Sequence, residues 1–259
     1  MSRLFDLSGK CALITGSSRG IGRAIAEAFA AHGANVVISS RRQHSCNAVA
    51  QAINRREGGR ATALRASIGS KSELERLVAE ARLSFGPIDV LVCNAATNPH
   101  YGAMSGITDE QFEKILRNNV LSNHWLAQLV VPGMAARKGG VIILVSSVGG
   151  YRGSPVIGAY NLSKAADFQL ARNLAVELGP HNIRVNCLAP GIIRTHFSRA
   201  LWQSGTNLRR ALAGTPLGRI GLPKEIAGAA VFLASEAGRY VTGQSIVIDG
   251  GASVTFPGI

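Results

Sequence analysis

Short runs of consecutive apolar residues alternate with longer segments of helical periodicity along the whole chain. Runs near 10–15, 35–40, 60–66, 88–93, 139–146, 182–189 and 244–249 read as strands. Several are apolar throughout rather than alternating, as in Val36-Val37-Ile38, Val90-Leu91-Val92 and Val141-Ile142-Ile143-Leu144-Val145. Strands of that kind are covered on both faces, which predicts an α/β fold with a mostly parallel sheet sandwiched by helices. Helical segments fall near 21–32, 44–57, 71–84, 109–137, 155–179 and 223–235. No repeat, low-complexity tract or linker interrupts the alternation, so one doubly wound domain of about seven strands is expected over residues 1–259.

The segment 155–179 is apolar nearly all round, with Ala159, Leu162, Ala166, Phe168, Leu170, Leu174 and Leu178 spread over its circumference. A helix of that kind has neighbours on both sides. One is the sheet. The other is a neighbouring subunit, to which Trp125, Leu126 and Leu129 of the 109–137 segment would also contribute, or else a thicker core.

The chain holds 28 basic and 15 acidic residues, a net charge of +13. Nucleic-acid binding wants such charge clustered and interleaved with aromatics, whereas aromatics make up 5% here and the basic residues are dispersed. The charge reads as a solvated surface with some attraction for anionic small molecules. No apolar run reaches membrane-spanning length, and Met1-Ser2-Arg3-Leu4-Phe5-Asp6 lacks a hydrophobic signal region, so a cytoplasmic protein off the membrane is expected. Cys11, Cys46, Cys93 and Cys187 have no metal-ligand spacing, nor have the histidines, and neither a disulfide nor a metal site is expected.

Cys11-Ala12-Leu13-Ile14-Thr15 runs directly into Gly16-Ser17-Ser18-Arg19-Gly20-Ile21-Gly22 and then a helical segment. Glycines at a strand–helix junction let the backbone turn sharply and approach a pyrophosphate, whose charge the helix N-terminus attracts. This is the arrangement of a Rossmann-type dinucleotide site. The second strand ends in Ser39-Ser40-Arg41-Arg42, with no carboxylate to bind a ribose 2′-hydroxyl. Arg41 and Arg19, with Ser40 adding a hydroxyl and Arg42 adjacent, suit a 2′-phosphate instead, so NADP (NADPH) is the expected cofactor.

Tyr160 and Lys164 lie four apart, which puts the ammonium beside the phenol on one helix face. An unperturbed phenol has a pKa of about 10, and a neighbouring cation pulls it down toward a range useful for acid–base catalysis. Taken with Thr15-Gly16-Ser17-Ser18-Arg19-Gly20-Ile21-Gly22, Asn94-Ala95-Ala96, Asn119, Ser147 and Pro190-Gly191-Ile192-Ile193-Arg194-Thr195, all in family order, the sequence resembles the short-chain dehydrogenase/reductase family over essentially its whole length. Residues 186–202 and Asn98-Pro99 are most similar to the NADPH-dependent carbonyl and retinal reductases of the dehydrogenase/reductase-4 type.

The resemblance implies that Tyr160 exchanges a proton with the substrate oxygen as hydride moves to or from the nicotinamide, and that Lys164 lowers the phenol's pKa and holds the nicotinamide ribose. It implies that Ser147 hydrogen-bonds the substrate oxygen, that Asn119 positions a water linking Lys164 to solvent, and that the enzyme is a homotetramer. Thr195 and the backbone of Ile193, in the Pro190-Gly191 segment, would anchor the carboxamide, and Asn94 with Ala95 would support the cofactor. Each residue also has a plain reading: Ser147 as the cap of the following turn, Asn119 as half of a mid-helix polar pair, Asn94 as a strand-end turn residue.

Two positions depart from the family pattern. Ala66-Ser67-Ile68 replaces an adenine-contacting Asp, leaving Ser67 and Ile68 for a neutral contact, and Asn94-Ala95-Ala96 replaces Asn-Ala-Gly. Substrate choice is expected from 98–101, 148–152 and a mobile lid over 195–215 holding Phe197, Leu201 and Trp202. Its apolar content favours a small hydrophobic carbonyl or alcohol. Arg152, Arg194 or Arg199 would instead suit sugar acids or acyl thioesters, and a cofactor-binding sensor or scaffold without turnover is the rival of another class.

Overall fold

In the computed structural model, which describes residues 3–56 and 60–255, the seven strands form one parallel sheet. They are β1 (Cys11–Thr15), β2 (Asn35–Ser40), β3 (Arg60–Arg65), β4 (Val90–Cys93), β5 (Gly140–Val145), β6 (Ile183–Pro190) and β7 (Ser245–Ile248), in the order β3-β2-β1-β4-β5-β6-β7. The continuously apolar runs lie in the middle, as both-face burial requires: β1 and β4 are buried at every residue, whereas β3 and β7 at the edges are partly exposed. Leu13 pairs with Val37 on one side and Leu91 on the other. The strand order reverses between β1 and β4, so a crevice opens outside the carboxyl ends of those strands, where ligands bind in open α/β sheets.

Among the described residues there are eight α-helices: α1 (Gly20–Ala31), α2 (Gln43–Asn54), α3 (Lys71–Phe85), α4 (Asp109–Leu116), α5 (Ser122–Ala136), α6 (Gly158–Leu178), α7 (Gly205–Ala213) and α8 (Pro223–Ala234). Ile25 and Phe29 of α1 pack with Ile226 and Val231 of α8 on one face. Leu74 of α3, Leu126 of α5 and Phe168 of α6 pack on the other. Each fully buried Leu, Ile or Phe contributes about 1.5–3 kcal/mol. Among the described residues no helix is long and apolar enough to cross a membrane.

Three predicted segments differ. The helix expected over 109–137 is broken by a π-helical turn, Arg117–Leu121. Side chains cause it: Ser122 Oγ donates to the Asn118 carbonyl (2.6 Å) and Asn123 Nδ2 to the Asn119 carbonyl (2.7 Å), competing with the backbone ladder. The helix expected from 155 starts at Gly158, because the Ser154 hydroxyl accepts from the backbone of Val156 and Ile157 and holds a turn there. The helix expected to 57 ends at Asn54, whose side chain accepts from Ala61 N (2.7 Å) and so pins the entry of β3; residue 57 lies outside the described residues.

Helix α8 is anchored by Glu225. Its carboxylate accepts from Leu222 N (2.7 Å) and from both terminal nitrogens of Arg219 (2.9 and 2.6 Å), and these contacts hold its pKa down at about 2. A group whose folded pKa is lowered stabilises above its unfolded value, and that contribution is lost as pH falls through the folded value. Glu225→Gln is therefore expected to melt below the wild type at pH 6, with the gap closing between about pH 4.5 and pH 2. Thermal melts across that range measure it.

Candidate active site

The crevice at the carboxyl ends of the strands is a cleft of about 1320 Å³. Its floor at the switch point is the glycine turn between β1 and α1. Gly16 and Gly20 have positive φ (66° and 59°), the left-handed region in which only glycine is unstrained. A Cβ on Gly16 would lie 2.8 Å from Asn94 Nδ2, and one on Gly22 would lie 2.4 Å from the same atom. The reason for that crowding is Asn94, whose amide donates to the carbonyls of Thr15 (2.9 Å) and Gly16 (3.2 Å) and so clasps the turn to β4. Ser17 ties the turn to β2 through Ser39 N (2.9 Å). Arg19 at the N-cap of α1 makes no side-chain capping bond, so the first amides of the helix are left to a ligand in the cleft.

Toward one end the cleft is lined by Ser18, Arg19, Ser40, Arg41, Arg42 and Ser45. Among the described residues no acidic side chain lines it there. Ser67 and Ile68 line it at the end of β3, and Gly16, Gly20, Ile21, Asn94 and Ala95 across the middle. The bare glycine surface, the helix N-terminus and the arginines suit an extended anionic dinucleotide. Pro190, Gly191, Ile193 and Thr195 line the opposite end, where a Cβ on Gly20 would come within 3.4 Å of the Thr195 side chain.

Ser147, Tyr160 and Lys164 line one wall of this same cleft. Ser147 sits just past β5 and accepts from Gly149 N (3.0 Å), so it does cap the following turn; that bond uses its oxygen and leaves its O–H to donate. Tyr160 and Lys164 come from the first turns of α6, with the ammonium 5.7 Å from the phenol ring centroid. Lys164 is 2% exposed and donates to the Val145 carbonyl (2.9 Å) and to Asp167 Oδ2 (3.0 Å).

The expected downward pull of Lys164 on the Tyr160 phenol is present but is outweighed by its surroundings. Burial pushes the phenol up more than Lys164 and the Ser147 hydrogen bond pull it down, and Asp167 adds to the rise, so Tyr160 stands above its ordinary value in the chain alone. Burial also works against the Lys164 charge, but Asp167 and Tyr160 outweigh it and the ammonium is held above its usual range.

Two predicted residues lie behind the cleft instead of lining it. Gly22 is buried against Gly16 and Asn94, a packing position. Asn119 is fully buried: its side chain takes Thr97 N (2.8 Å) and donates to Thr97 O (3.0 Å) and Ser163 Oγ (3.0 Å), while its carbonyl accepts from Asn123. Asn118, the other member of the pair, does line the cleft, and Asp167 and Asn123 extend the polar network beneath it. The sequence pattern marks Asn118 only as Asn119's neighbour in a polar pair and gives Asp167 and Asn123 no role. The signal for Asp167 is a carboxylate three residues past Lys164, set between the apolar Ala166 and Phe168.

Of the flanking segments, Asn98, Tyr101, Val148, Gly149, Phe197 and Leu201 line the cleft, and Phe197 packs 5.9 Å from the Tyr160 ring. Arg152 lines it too and donates to the Ala252 carbonyl. Arg194 and Arg199 open instead into a separate hollow of about 590 Å³. The stretch 195–215 is more ordered than its glycines suggest: Arg199–Leu201 forms a 3₁₀ turn and α7 follows, with Ser204 accepting from Asn207 N (3.1 Å) as its N-cap and Gly214 at its end. All four cysteines are buried and free.

A seven-stranded parallel sheet with this glycine turn at the switch point defines a Rossmann-type protein. A family model described as enoyl-(acyl carrier protein) reductase matches residues 16–253. The chain is 44% identical over 252 residues to dehydrogenase/reductase SDR family member 4 of Bos taurus, covering 97% of this chain and 90% of that protein, and 43% identical to the Homo sapiens protein at the same coverage. The chain belongs to the short-chain dehydrogenase/reductase family and is an oxidoreductase of that family. Among solved structures it is similar to a 7α-hydroxysteroid dehydrogenase complexed with NADH and 7-oxo glycochenodeoxycholic acid (TM-score 0.93, 38% identity, 97% of each chain). It is also similar to a Burkholderia cenocepacia gluconate 5-dehydrogenase in complex with NADP and tartrate (TM-score 0.93, 32% identity, 98% of this chain and 99% of that one). The family uses a nicotinamide cofactor, and these neighbours hold one as NADH and one as NADP.

Proposed function

We propose that this chain is a single-domain, NADP(H)-dependent oxidoreductase that interconverts a hydrophobic carbonyl compound and its primary or secondary alcohol, with Tyr160 as general acid and base. The observation that carries the reading is the meeting of Ser147, Tyr160 and Lys164 on the wall of the cleft that also holds the glycine turn and the arginine-rich end of β2. Bound along that floor, the nicotinamide dinucleotide supplies or accepts the hydride. Tyr160 gives its phenolic proton to the carbonyl oxygen in reduction and recovers it in oxidation. Ser147, its oxygen already occupied by Gly149 N, donates its O–H where alkoxide charge builds up. Lys164 offsets part of the burial cost of the Tyr160 phenolate and keeps one N–H for the nicotinamide ribose after bonding Val145 and Asp167. Asn119 acts from behind, fixing Thr97 on the opposite wall. Asn94 and Ala95 hold the glycine turn, and Thr195, with the backbone of Ile193, meets the carboxamide.

Phe197 beside Tyr160, with Leu201 and Tyr101, favours an apolar partner over a sugar. Residues 195–215 act as the lid. A homotetramer in the cytoplasm completes the reading; Leu162 and Val176, exposed on the outer face of α6, support the assembly. A reductase of sugar acids or acyl thioesters is the second reading, favoured by Arg152 on the cleft wall. A panel of aromatic aldehydes, diketones, retinoids, keto-sugar acids and ketoacyl thioesters, assayed with NADPH and with NADH, separates the two.

The cofactor assignment has its own test. Arg41→Glu replaces a charge-assisted donor by a repelling carboxylate, and such bonds are worth about 1.5–3 kcal/mol, so NADPH affinity is expected to fall roughly 10- to 100-fold with NADH affinity little changed. An equal loss for both cofactors in fluorescence titrations would remove the 2′-phosphate assignment.

A further inference from the structure

Asp167 is fully buried, one turn beyond Lys164 on α6, and its two carboxylate oxygens are divided between two partners. Oδ2 accepts from the Lys164 ammonium at 3.0 Å, and Oδ1 accepts from Asn123 Nδ2 at 2.9 Å. Asn123, itself 3% exposed on α5, spans to the Asn119 carbonyl at 2.7 Å. Burial pushes the Asp167 carboxyl above its usual range, against the pull of the Lys164 ammonium and the Asn123 amide, so its charge depends on that pairing and hydrogen bonding. The other titratable groups facing the cluster are thiols, Cys93 on β4 and Cys187 on β6, both pushed far up by burial and therefore neutral. Arg172, further along α6, acts on Cys187, while Arg117 of the π turn and Arg152 of the turn before α6 are exposed. The charges that Tyr160 meets from within the fold are thus those of Lys164 and Asp167, of opposite sign, and Asp167 works against Lys164 on the phenol.

We propose that Asp167, held by Asn123, is a positioning counter-charge for Lys164 that sets how far the ammonium lowers the Tyr160 phenol, and hence the pH at which the proton step runs. The proposal rests on Tyr160 and Lys164 being the acid–base pair. A lysine with no buried partner would exert its full pull on the phenolate; pairing it to a carboxylate at 3.0 Å fixes its direction and cancels part of that pull.

The test is the pH dependence of Tyr160 ionisation, read in two ways on the full chain. The first is tyrosinate absorbance, taken as wild type minus Tyr160→Phe, without cofactor or substrate. The second is kcat/KM for alcohol oxidation by the holoenzyme, using the best alcohol of the panel. Asp167→Asn keeps the shape and removes the charge, and is expected to move both midpoints to lower pH by roughly one unit. Asn123→Ala leaves both charges in place but loosens the carboxylate, and is expected to move them the same way by less. Unchanged midpoints in Asp167→Asn, or a move to higher pH, would overturn the proposal even if the variant melts earlier. If Asp167→Asn does not fold, an unchanged midpoint in Asn123→Ala overturns it. Turnover surviving in Tyr160→Phe would instead remove the acid–base reading itself, while a dead Tyr160→Phe with unshifted midpoints in Asp167→Asn would remove this inference alone.

Discussion

Tyr160→Phe is expected to bind NADPH as the wild type does and to lose turnover by about 10²- to 10⁴-fold, the usual range for removing a positioned acid–base group. The substitution deletes one oxygen and leaves the ring, so the packing with Phe197 and the contact with the Lys164 ammonium survive. In the proposed reading, cofactor affinity comes chiefly from the glycine turn and the arginines at the end of β2, which Tyr160 does not support. The two measurements, fluorescence titration of NADPH and steady-state turnover on the substrate panel, therefore separate in this variant. Unchanged rates would remove the proposed mechanism; lost NADPH binding would show that the phenol holds the cofactor site together. A protein that binds the cofactor as a sensor would show no turnover in the wild type either, which makes the wild-type assay the control for that rival.

Gly22→Ala carries the second large effect, and its sign opposes helix propensity. Alanine inside a helix is favoured over glycine by about 0.8–1.0 kcal/mol, which alone would stabilise α1. The added methyl, however, would lie 2.4 Å from Asn94 Nδ2 and 2.6 Å from the Gly16 carbonyl. Asn94 would have to release the Thr15 and Gly16 carbonyls, and the glycine turn would separate from β4. Overpacking of this kind costs about 1–3 kcal/mol. The expected result is a lower melting temperature and an NADPH affinity reduced by at least about tenfold, checked by calorimetry and titration. A more stable variant with unchanged affinity would mean that the turn has room the geometry does not show.

Much of the chemistry in the cleft is legible from residue type and spacing. Gly16, Gly20 and Gly22 between a strand and a helix, the missing carboxylate after β2, and the Tyr160–Lys164 spacing are local facts, and helix geometry alone puts the last two side chains on one face. The side-chain network beneath them is not local. Asn119 and Asn123 reach Thr97, Ser163 and Asp167 on other elements, contacts that no spacing along the chain contains. The separation of Arg194 and Arg199 from the cleft depends on how the segment after β6 folds, and the capped helix α7 there is short and carries its glycines at its ends.

The sequence by itself determined the parallel sheet, because apolar runs with no polar face have to be covered on both sides, and it determined the residues at the carboxyl ends of the strands that line the crevice. The tertiary structure alone decided how Tyr160 is tuned. Burial depth and the charge of Asp167, neither of which a spacing rule contains, work on the phenol against the pull of Lys164, since the loss of water and the nearness of charge depend on what surrounds a group in three dimensions.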